Sequence, residues 1–455
     1  MAISPSTLII PVETQVREMD AKLLLGCIAA ERGFPVIIGS RAFIHYLVDS
    51  VPRGIYLAKS MASLSIRMFD ILRRLGHEIV AWEEEALLRD PDPEYYRRRL
   101  SPFTIRQLSH LFAWGADDAE TFRRYPGYAG AEIHITGNPR GDLMRRELRQ
   151  FYREDVEAIR KRFGDFILVN TNFAEVNHFH PQLSEYNKAM AKKGTAEESP
   201  FDIGKVQHKL ALFTYFKEML PALCKAAGSS NVVVRPHPTE SHVIWNEMAA
   251  QYDNLYVAND GNIIPWLMAA QALVANSCTT QVEAAVLGAP TVNYQPVKSE
   301  LLDFELPCLV SRCVYNLDDV CATVREIIQG NLGPLDEGEN RKILDPHISA
   351  LDGPLAAERI VQVLVDEGYS QRRPPAAPWS VYAEGWFRNH WRTFSKRRKM
   401  RRPESRNSLA YHAHRFPDIS VPEIMIKVQR MGKLLNRFEK IEVTEISRHI
   451  FRISG

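Results

Sequence analysis

Two junctions in this 455-residue chain carry residue types suited to holding an anion. The first is Arg235-Pro236-His237-Pro238, directly after the apolar run Val232-Val233-Val234. Neither proline has an N–H to donate, so a central strand cannot run through this turn. The strand must stop and present Arg235 and His237 at its carboxyl end, the edge at which open α/β sheets bind ligands. The second junction is Ala272 to Ala275 followed by Asn276-Ser277-Cys278-Thr279-Thr280 and a helical stretch, Gln281 to Leu287, stopped by Gly288 and Pro290. Hydroxyls at the mouth of a helix, beside its free N–H groups, form an anion site. An arginine, a histidine and a hydroxyl-lined helix start together suit a phosphate-bearing ligand. Taken singly, the hydroxyls read as plain helix caps and the histidine as structural; their common position at strand ends is what points to a ligand.

A second kind of chemistry lies nearer the N-terminus, where Val80-Ala81-Trp82 leads into Glu83-Glu84-Glu85. Three acids at the end of a parallel strand would face a cleft. There one could act as general base on an acceptor hydroxyl or as nucleophile on an anomeric carbon. Crowding of like charges raises at least one pKa, which helps a base working near neutrality. The competing reading is a solvated acidic helix start, favoured by the helix dipole. Glu13, with Arg17 four residues on, ends the first strand and faces the same cleft. His180-Pro181 reads as a loop or cleft lid. No His-x-x-x-His spacing is present, so no metal site is expected.

The elements that must position these residues alternate strand and helix. Leu8 to Val12, Pro35 to Gly39, Gly54 to Ala58, Glu78 to Trp82, Leu111 to Gly115 and Glu132 to Thr136 read as strands, with helices over 17–32, 64–75 and 116–124 between them. The pattern restarts at Phe166 to Val169, passes a polar insertion at 175–199 and a long helix over 206–226, and continues through strands at 232–234, 255–257, 272–275 and 291–294. The expectation is an α/β chain of two Rossmann-like domains facing each other across a cleft, 1–160 and 161–370. After the linker composition Arg372-Arg373-Pro374-Pro375, residues 371–455 form a basic, aromatic helical extension closed by an amphipathic helix over 423–438. Trp386, Phe387, Trp391 and Phe394 are interleaved there with Arg and Lys through Arg402. That pattern suits an anionic membrane surface, or a solvated basic helix packed by its aromatics on the domain.

Composition narrows the class. Apolar content of 45%, charged content of 25% and a net charge of +2 are those of an ordinary globular protein and argue against bulk nucleic-acid binding. Six cysteines without a Cys-x-x-Cys pair suggest neither zinc knuckle nor disulfide frame, and Cys308 and Cys313 read as buried thiols. With no secretory signal and no apolar run of bilayer-spanning length, the expected location is the cytoplasm, peripheral at the inner face of the membrane.

With these residues assembled, the chain resembles the bacterial surface-carbohydrate biosynthesis proteins, which look like GT-B glycosyltransferases of the capsule and lipopolysaccharide type. The resemblance rests on Val12 to Glu18, Glu83 to Leu87, Thr136-Gly137-Asn138-Pro139-Arg140, Asn170 to Phe173, Arg235 to Pro238, and Asn276-Ser277 through Pro290. The wider class includes sialyl- and Kdo-transferases. By resemblance, Glu85 is the catalytic acid with Glu84 beside it. Asn170, Thr171, Asn172, Arg235, His237, Pro238, Ser277, Thr279, Thr280 and Glu283 hold the CMP-sugar donor, and Glu13, Arg17, Asn138 and Arg140 line the acceptor side. Ala86 stands where the pattern has Gly. The implied activity is glycosyl transfer from a CMP-activated ulosonic acid to a surface polysaccharide or lipid-linked acceptor, with no metal, no cofactor and no nucleic-acid partner. A CDP-glycerol-type polyol phosphotransferase, a sugar-nucleotide 2-epimerase and a non-catalytic nucleotide-sugar-binding partner of capsule assembly are the alternatives.

Overall fold

The computed structural model of the chain describes residues 5–187, 199–403 and 405–455. Residues 188–198, part of the insertion expected at 175–199, lie outside the described residues. The chain divides into two compact units, Met1–Phe151 with Asp345–Gly455, and Tyr152–Leu344.

In the first unit six parallel strands, β1 (Thr7–Val12), β2 (Val36–Ser40), β3 (Gly54–Ala58), β4 (Glu78–Ala81), β5 (Leu108–Ala113) and β6 (Glu132–Ile135), run in the order β2-β1-β3-β4-β5-β6. β1 to β3 are short apolar runs buried along their whole length. Such runs are what a parallel sheet covered on both faces demands. The chain steps from β1 to β2 and then crosses to β3 on the other side of β1. The carboxyl ends of β1 and β3 therefore form a topological switch point. In the second unit β7 (Phe166–Asn170), β8 (Asn231–Arg235), β9 (Leu255–Val257), β10 (Ala272–Ala275), β11 (Thr291–Tyr294) and β12 (Arg312–Val314) are also parallel, in the order β12-β11-β10-β7-β8-β9. This is the doubly wound order of a dinucleotide-binding domain, with its switch point between β7 and β10.

The C-terminal segment differs from the expected helical extension. Residues from Asp345 onward belong to the first unit, and the chain divides after Phe151 and Leu344 rather than at 160 and 370. Two strands missed in the sequence, β13 (Glu442–Ser447) and β14 (Ile450–Ser454), form a hairpin, and β14 pairs antiparallel with β2. Strand alternation is weak here because only Val443, Ile450, Phe451 and Ile453 are buried. Gly39 makes the docking possible: its φ is +155°, and a Cβ there would lie 2.1 Å from the His449 carbonyl oxygen. The helix Gln15–Glu31, polar at Glu18, Asp20 and Lys22, is buried over most of its length. The helices Ala356–Asp366 and Val421–Leu435 pack against it.

The helix Trp379–Met400 also departs from expectation. It packs on Ile66–Arg74 through Gly385, where a Cβ would meet the Arg74 side chain at 2.7 Å, while buried Asn389 and Arg392 reach Asp49 and His45. Its aromatics do not make this contact: Trp386, Phe387, Trp391 and Phe394 are 45–62% exposed. Cys308 and Cys313, expected as thiols, form a disulfide, their Cα atoms brought to 6.0 Å by the turn into β12.

Phe451 is fully buried on β14. Phe451→Ala is expected to cost about 3–5 kcal/mol in urea unfolding. A loss below about 1 kcal/mol would mean the hairpin is not integral to the first unit's core.

Candidate functional site

At the switch point of the first unit, Glu13 follows β1, Arg41 follows β2 and Lys59 follows β3, so three charged side chains converge by topology alone. Lys59 Nζ lies 2.8 Å from both Glu13 Oε2 and Glu18 Oε1. Glu18, 1% exposed, also accepts from the backbone N–H groups of Glu13 and Thr14 and from Lys22 Nζ at 2.7 Å. Burial alone would raise its pKa, but Lys22, Lys59 and the Glu13 N–H outweigh that and hold the carboxyl well below its ordinary value. Glu13 is depressed in the same way: Arg41, Lys59 and Arg415 overcome its burial. Arg415, from the helix Leu409–Arg415, reaches Glu13 at 2.7 Å and Thr14 Oγ1 at 2.9 Å. Lys59, Glu18, Lys22 and Arg415 were not singled out in the sequence. Glu18 and Lys22 sit on a helix whose i, i+4 spacing reads as a surface pair, and Arg415 is remote in the chain.

The three consecutive glutamates lie in a turn after β4, not at a helix start; the next helix begins at Asp92. Their environments diverge. Glu84, 2% exposed, accepts from Trp82 Nε1 at 2.9 Å, with Lys22 at 3.6 Å and Arg140 at 3.9 Å. Glu83 is wholly buried, and its Oε2 has no hydrogen-bond partner. Burial pushes its pKa to about 7 despite Arg99 at 3.6 Å. Glu85 alone of the three is partly exposed, its side chain at 30%, and Arg17 grips both its oxygens at 2.6 and 3.2 Å. Against its burial, Arg17 and Arg99 hold Glu85 ionised far below the usual carboxylate range. Asn138 caps the helical turn Pro139–Asp142 through the Arg140 N–H, and Arg140 lies over Trp114.

In the second unit the sequence-selected residues meet at the β7/β10 switch point. Asn172, just past β7, donates to the carbonyls of Asn276 and Ser277 past β10, at 3.0 and 3.3 Å. Lys209, buried on the helix Pro200–Ala226, donates to Asn172 Oδ1 at 3.0 Å, and burial lowers its pKa. Ser277 is 3% exposed with φ 41°, a left-handed backbone unusual for serine. Its Oγ has no partner, nor does Thr280 Oγ1. Both hydroxyls sit at the start of the helix Thr279–Leu287, whose Cys278 N–H is met by Gln281 Oε1. Thr279 opens that helix and Glu283 is buried within it. Asn170 Oδ1 and Asn276 Oδ1 at the same strand ends are likewise unsatisfied.

The β8 end is organised by a residue the sequence reading missed, Glu240. Wholly buried, it accepts from Thr171 Oγ1, Phe173 N, His237 N and Trp245 Nε1 at 2.8–3.3 Å. Burial raises its pKa to about 7 against those donors. His237 Nδ1 lies 2.7 Å from Thr239 Oγ1, which orients the ring. Pro238 completes the turn. The His178–His180 segment pairs with this turn, Phe179 N donating to the Thr239 carbonyl at 3.0 Å. Arg235 points instead to the Gly261 carbonyl at 2.7 Å and over Trp266, and burial lowers its pKa to about 10.

One grouping of possible metal ligands was not indicated by sequence spacing. Among the described residues, His110, Glu132 and His134 bring three ligand atoms within 4.8 Å of one another. They were missed because β5 and β6, adjacent only in the folded sheet, supply one histidine each.

No family model matches the chain, and no curated protein matches it. Solved structures do. The wall teichoic acid polymerase TagF, H548A, aligns with a TM-score of 0.52 at 12% identity over 80% of this chain and 89% of that one. The UDP-GlcNAc 2-epimerase from Methanocaldococcus jannaschii aligns at 0.46 and 13% identity over 79% and 99%. Anabaena Alr3699/HepE in complex with UDP and glucose aligns at 0.41 and 11% over 81% and 100%. The likeness is one of fold, and the fold is GT-B-like.

Glu18→Ala leaves two buried ammonium groups short of a counter-ion and is expected to cost about 3–5 kcal/mol. The folded pKa of Glu18 lies below its ordinary 4.5, so its contribution is complete above pH 4.5 and is lost as pH falls below it. The wild-type stability should therefore fall more steeply on acidification than that of the variant, as read by urea unfolding at a series of pH values.

Proposed function

We propose that the chain is a glycosyltransferase that takes a nucleotide-activated sugar, of the CMP-ulosonic acid type, and transfers the sugar to a surface polysaccharide or lipid-linked acceptor. The observation that carries this is the β7/β10 crevice. Two buried hydroxyls without protein partners, Ser277 Oγ and Thr280 Oγ1, stand at a helix N-terminus beside a buried lysine. A phosphate oxygen there would meet hydroxyls, helix N–H groups and the Lys209–Asn172 pair, the donor set that stabilises a departing nucleotide phosphate. His237, Pro238 and Thr171, tied together through Glu240, supply the adjoining wall for the nucleoside, with Asn170, Thr279 and Glu283 beside them.

Acid chemistry is assigned to the first unit. Glu85 is retained as the reactive carboxylate because it is the exposed member of the trio; Glu84 is a structural anion. An acid locked to Arg17 is a weak base, so the reaction requires Arg17 to be drawn off, for which an anionic substrate is suited. Arg17, Arg41 and Arg415 are partly exposed around Glu13 and Glu85, and an acceptor or donor bearing a carboxylate or phosphate complements them.

The outward face of Trp379–Met400 supports a peripheral site at an anionic membrane. Residues 386–402 carry eight Lys and Arg and no acid; Arg392 is buried and Arg388 pairs with Asp70 and Glu384, which leaves six beside aromatics that are exposed rather than packed. Clusters of that size on an amphipathic helix bind anionic lipid at about 1 kcal/mol per basic residue. No helix among the described residues is long and apolar enough to cross a membrane.

Three measurements test this. In a thermal-shift panel of CMP, CDP, UDP and GDP, a cytidine nucleotide at about 100 Kd should stabilise by about 2.7 kcal/mol, and His237→Ala should remove the shift. A response to UDP alone favours epimerase chemistry, and a product retaining phosphate favours polyol phosphotransfer; CDP belongs in the panel because a TagF structure was soaked with CDPG. Glu85→Gln should lower kcat by about 100-fold or more without loss of fold, while full activity of the double Glu84 and Glu85 alanine variant would leave a binding role. The protein should sediment with vesicles containing phosphatidylglycerol but not with phosphatidylcholine alone, and Trp391→Ser with Phe387→Ser should weaken that binding. Equal binding to both vesicles, or none, rejects the membrane assignment.

A further inference from the structure

The β6 edge of the first unit's sheet holds a cluster that the proposed transfer does not use. His110 on β5 pairs in register with Glu132 on β6, and His134 lies two residues along the same strand. Paired residues of neighbouring strands share a face, and so do residues i and i+2, so all three side chains leave the sheet on one side. His110 Nδ1 and His134 Nε2 are 3.1 Å apart, and Glu132 Oε2 is 3.9 Å from His134 Nε2. The other ring nitrogen of His110, Nε2, faces Glu367 Oε2 at 3.9 Å.

Two imidazoles that meet nitrogen to nitrogen either share one proton or direct both lone pairs at a cation. Around a tetrahedral zinc with Zn–N near 2.0–2.1 Å, two ring nitrogens stand about 3.3–3.4 Å apart, close to the spacing here. A carboxylate behind a ligating histidine is its usual outer partner, and Glu367, 3.9 Å from His110 Nε2, stands on that side of the ring. Glu132 lies toward solvent, leaving an entry path. We propose that His110, His134 and Glu132 bind a zinc-class divalent cation, with Glu367 orienting His110 and a fourth position left to water. The bound ion ties the edge strand β6 to β5 and to the returning C-terminal segment that carries Glu367.

The test uses the full chain stripped of metal and titrated with Zn²⁺ against a chromophoric chelator, then with Co²⁺ to read four-coordinate visible bands. The expected result is one tight Zn²⁺ per chain, with affinity falling on acidification as protons compete for the ligand nitrogens. His134→Ala and Glu132→Ala, both at the sheet edge, should remove tight binding while circular dichroism stays native. Glu367→Gln should weaken it about 10–100-fold at unchanged stoichiometry. Absence of tight binding by the wild type identifies the pair as a simple histidine–histidine hydrogen bond and overturns the proposal. Unchanged affinity in His134→Ala and Glu132→Ala places the metal on other histidines and overturns it equally.

Discussion

One buried carboxylate, Glu18, sets the architecture of the first unit's strand ends. Lying between Lys22 and Lys59 and capped by two backbone N–H groups, it makes tolerable two ammonium groups that could not otherwise be withdrawn from water. Lys59 then fixes Glu13, and Lys22 donates to the Pro11 carbonyl, so the turns after β1 and β3 are held by charge rather than by packing. A charged lattice of this kind has little freedom to rearrange, because moving one member strands another. The exposed arginines at its rim are the part that can respond to a ligand.

The second unit solves the same problem with neutral donors. Glu240 gathers hydroxyl, indole and backbone N–H groups from the ends of β7 and β8, and Asn172 carries the connection to β10. Besides Arg235 Nε and Asn259 Oδ1, what remains unsatisfied among this unit's described residues lies at the ends of β7 and β10 and the helix start that follows: Asn170 Oδ1, Asn276 Oδ1, Ser277 Oγ and Thr280 Oγ1. Buried polar atoms without partners are costly, roughly 1–3 kcal/mol each. Their concentration at the place where strand order reverses is the physical sign of a site shaped for something other than itself.

Much of this was legible in the sequence because its signals are local. Short runs rich in apolar residues located β3, β9, β10 and β11 to the residue, and the Arg235-Pro236-His237-Pro238 turn marked the end of β8. Contacts distant in the chain were not legible. Glu18 and Lys22 resemble a surface helix pair until the ends of β1, β3 and β4 are known to meet them. His110 and His134 become neighbours only through sheet register, and β13 and β14 lack the alternation that identifies a strand. The glutamate trio shows both outcomes: its place after β4 followed from sequence, whereas the division into one uncharged-leaning, one structural and one arginine-bound acid depends on side chains from elsewhere.

The return of the C-terminal segment has a consequence for biosynthesis. Strand β2 obtains its outer neighbour only when β14 has left the ribosome, and Glu13 obtains Arg415 only shortly before. At about 5–20 residues per second, the roughly four hundred intervening residues impose a delay of about 20–80 seconds. Throughout it an apolar strand edge lies open beside an under-neutralised acid, while the inserted second unit, contiguous in the chain, is free to mature.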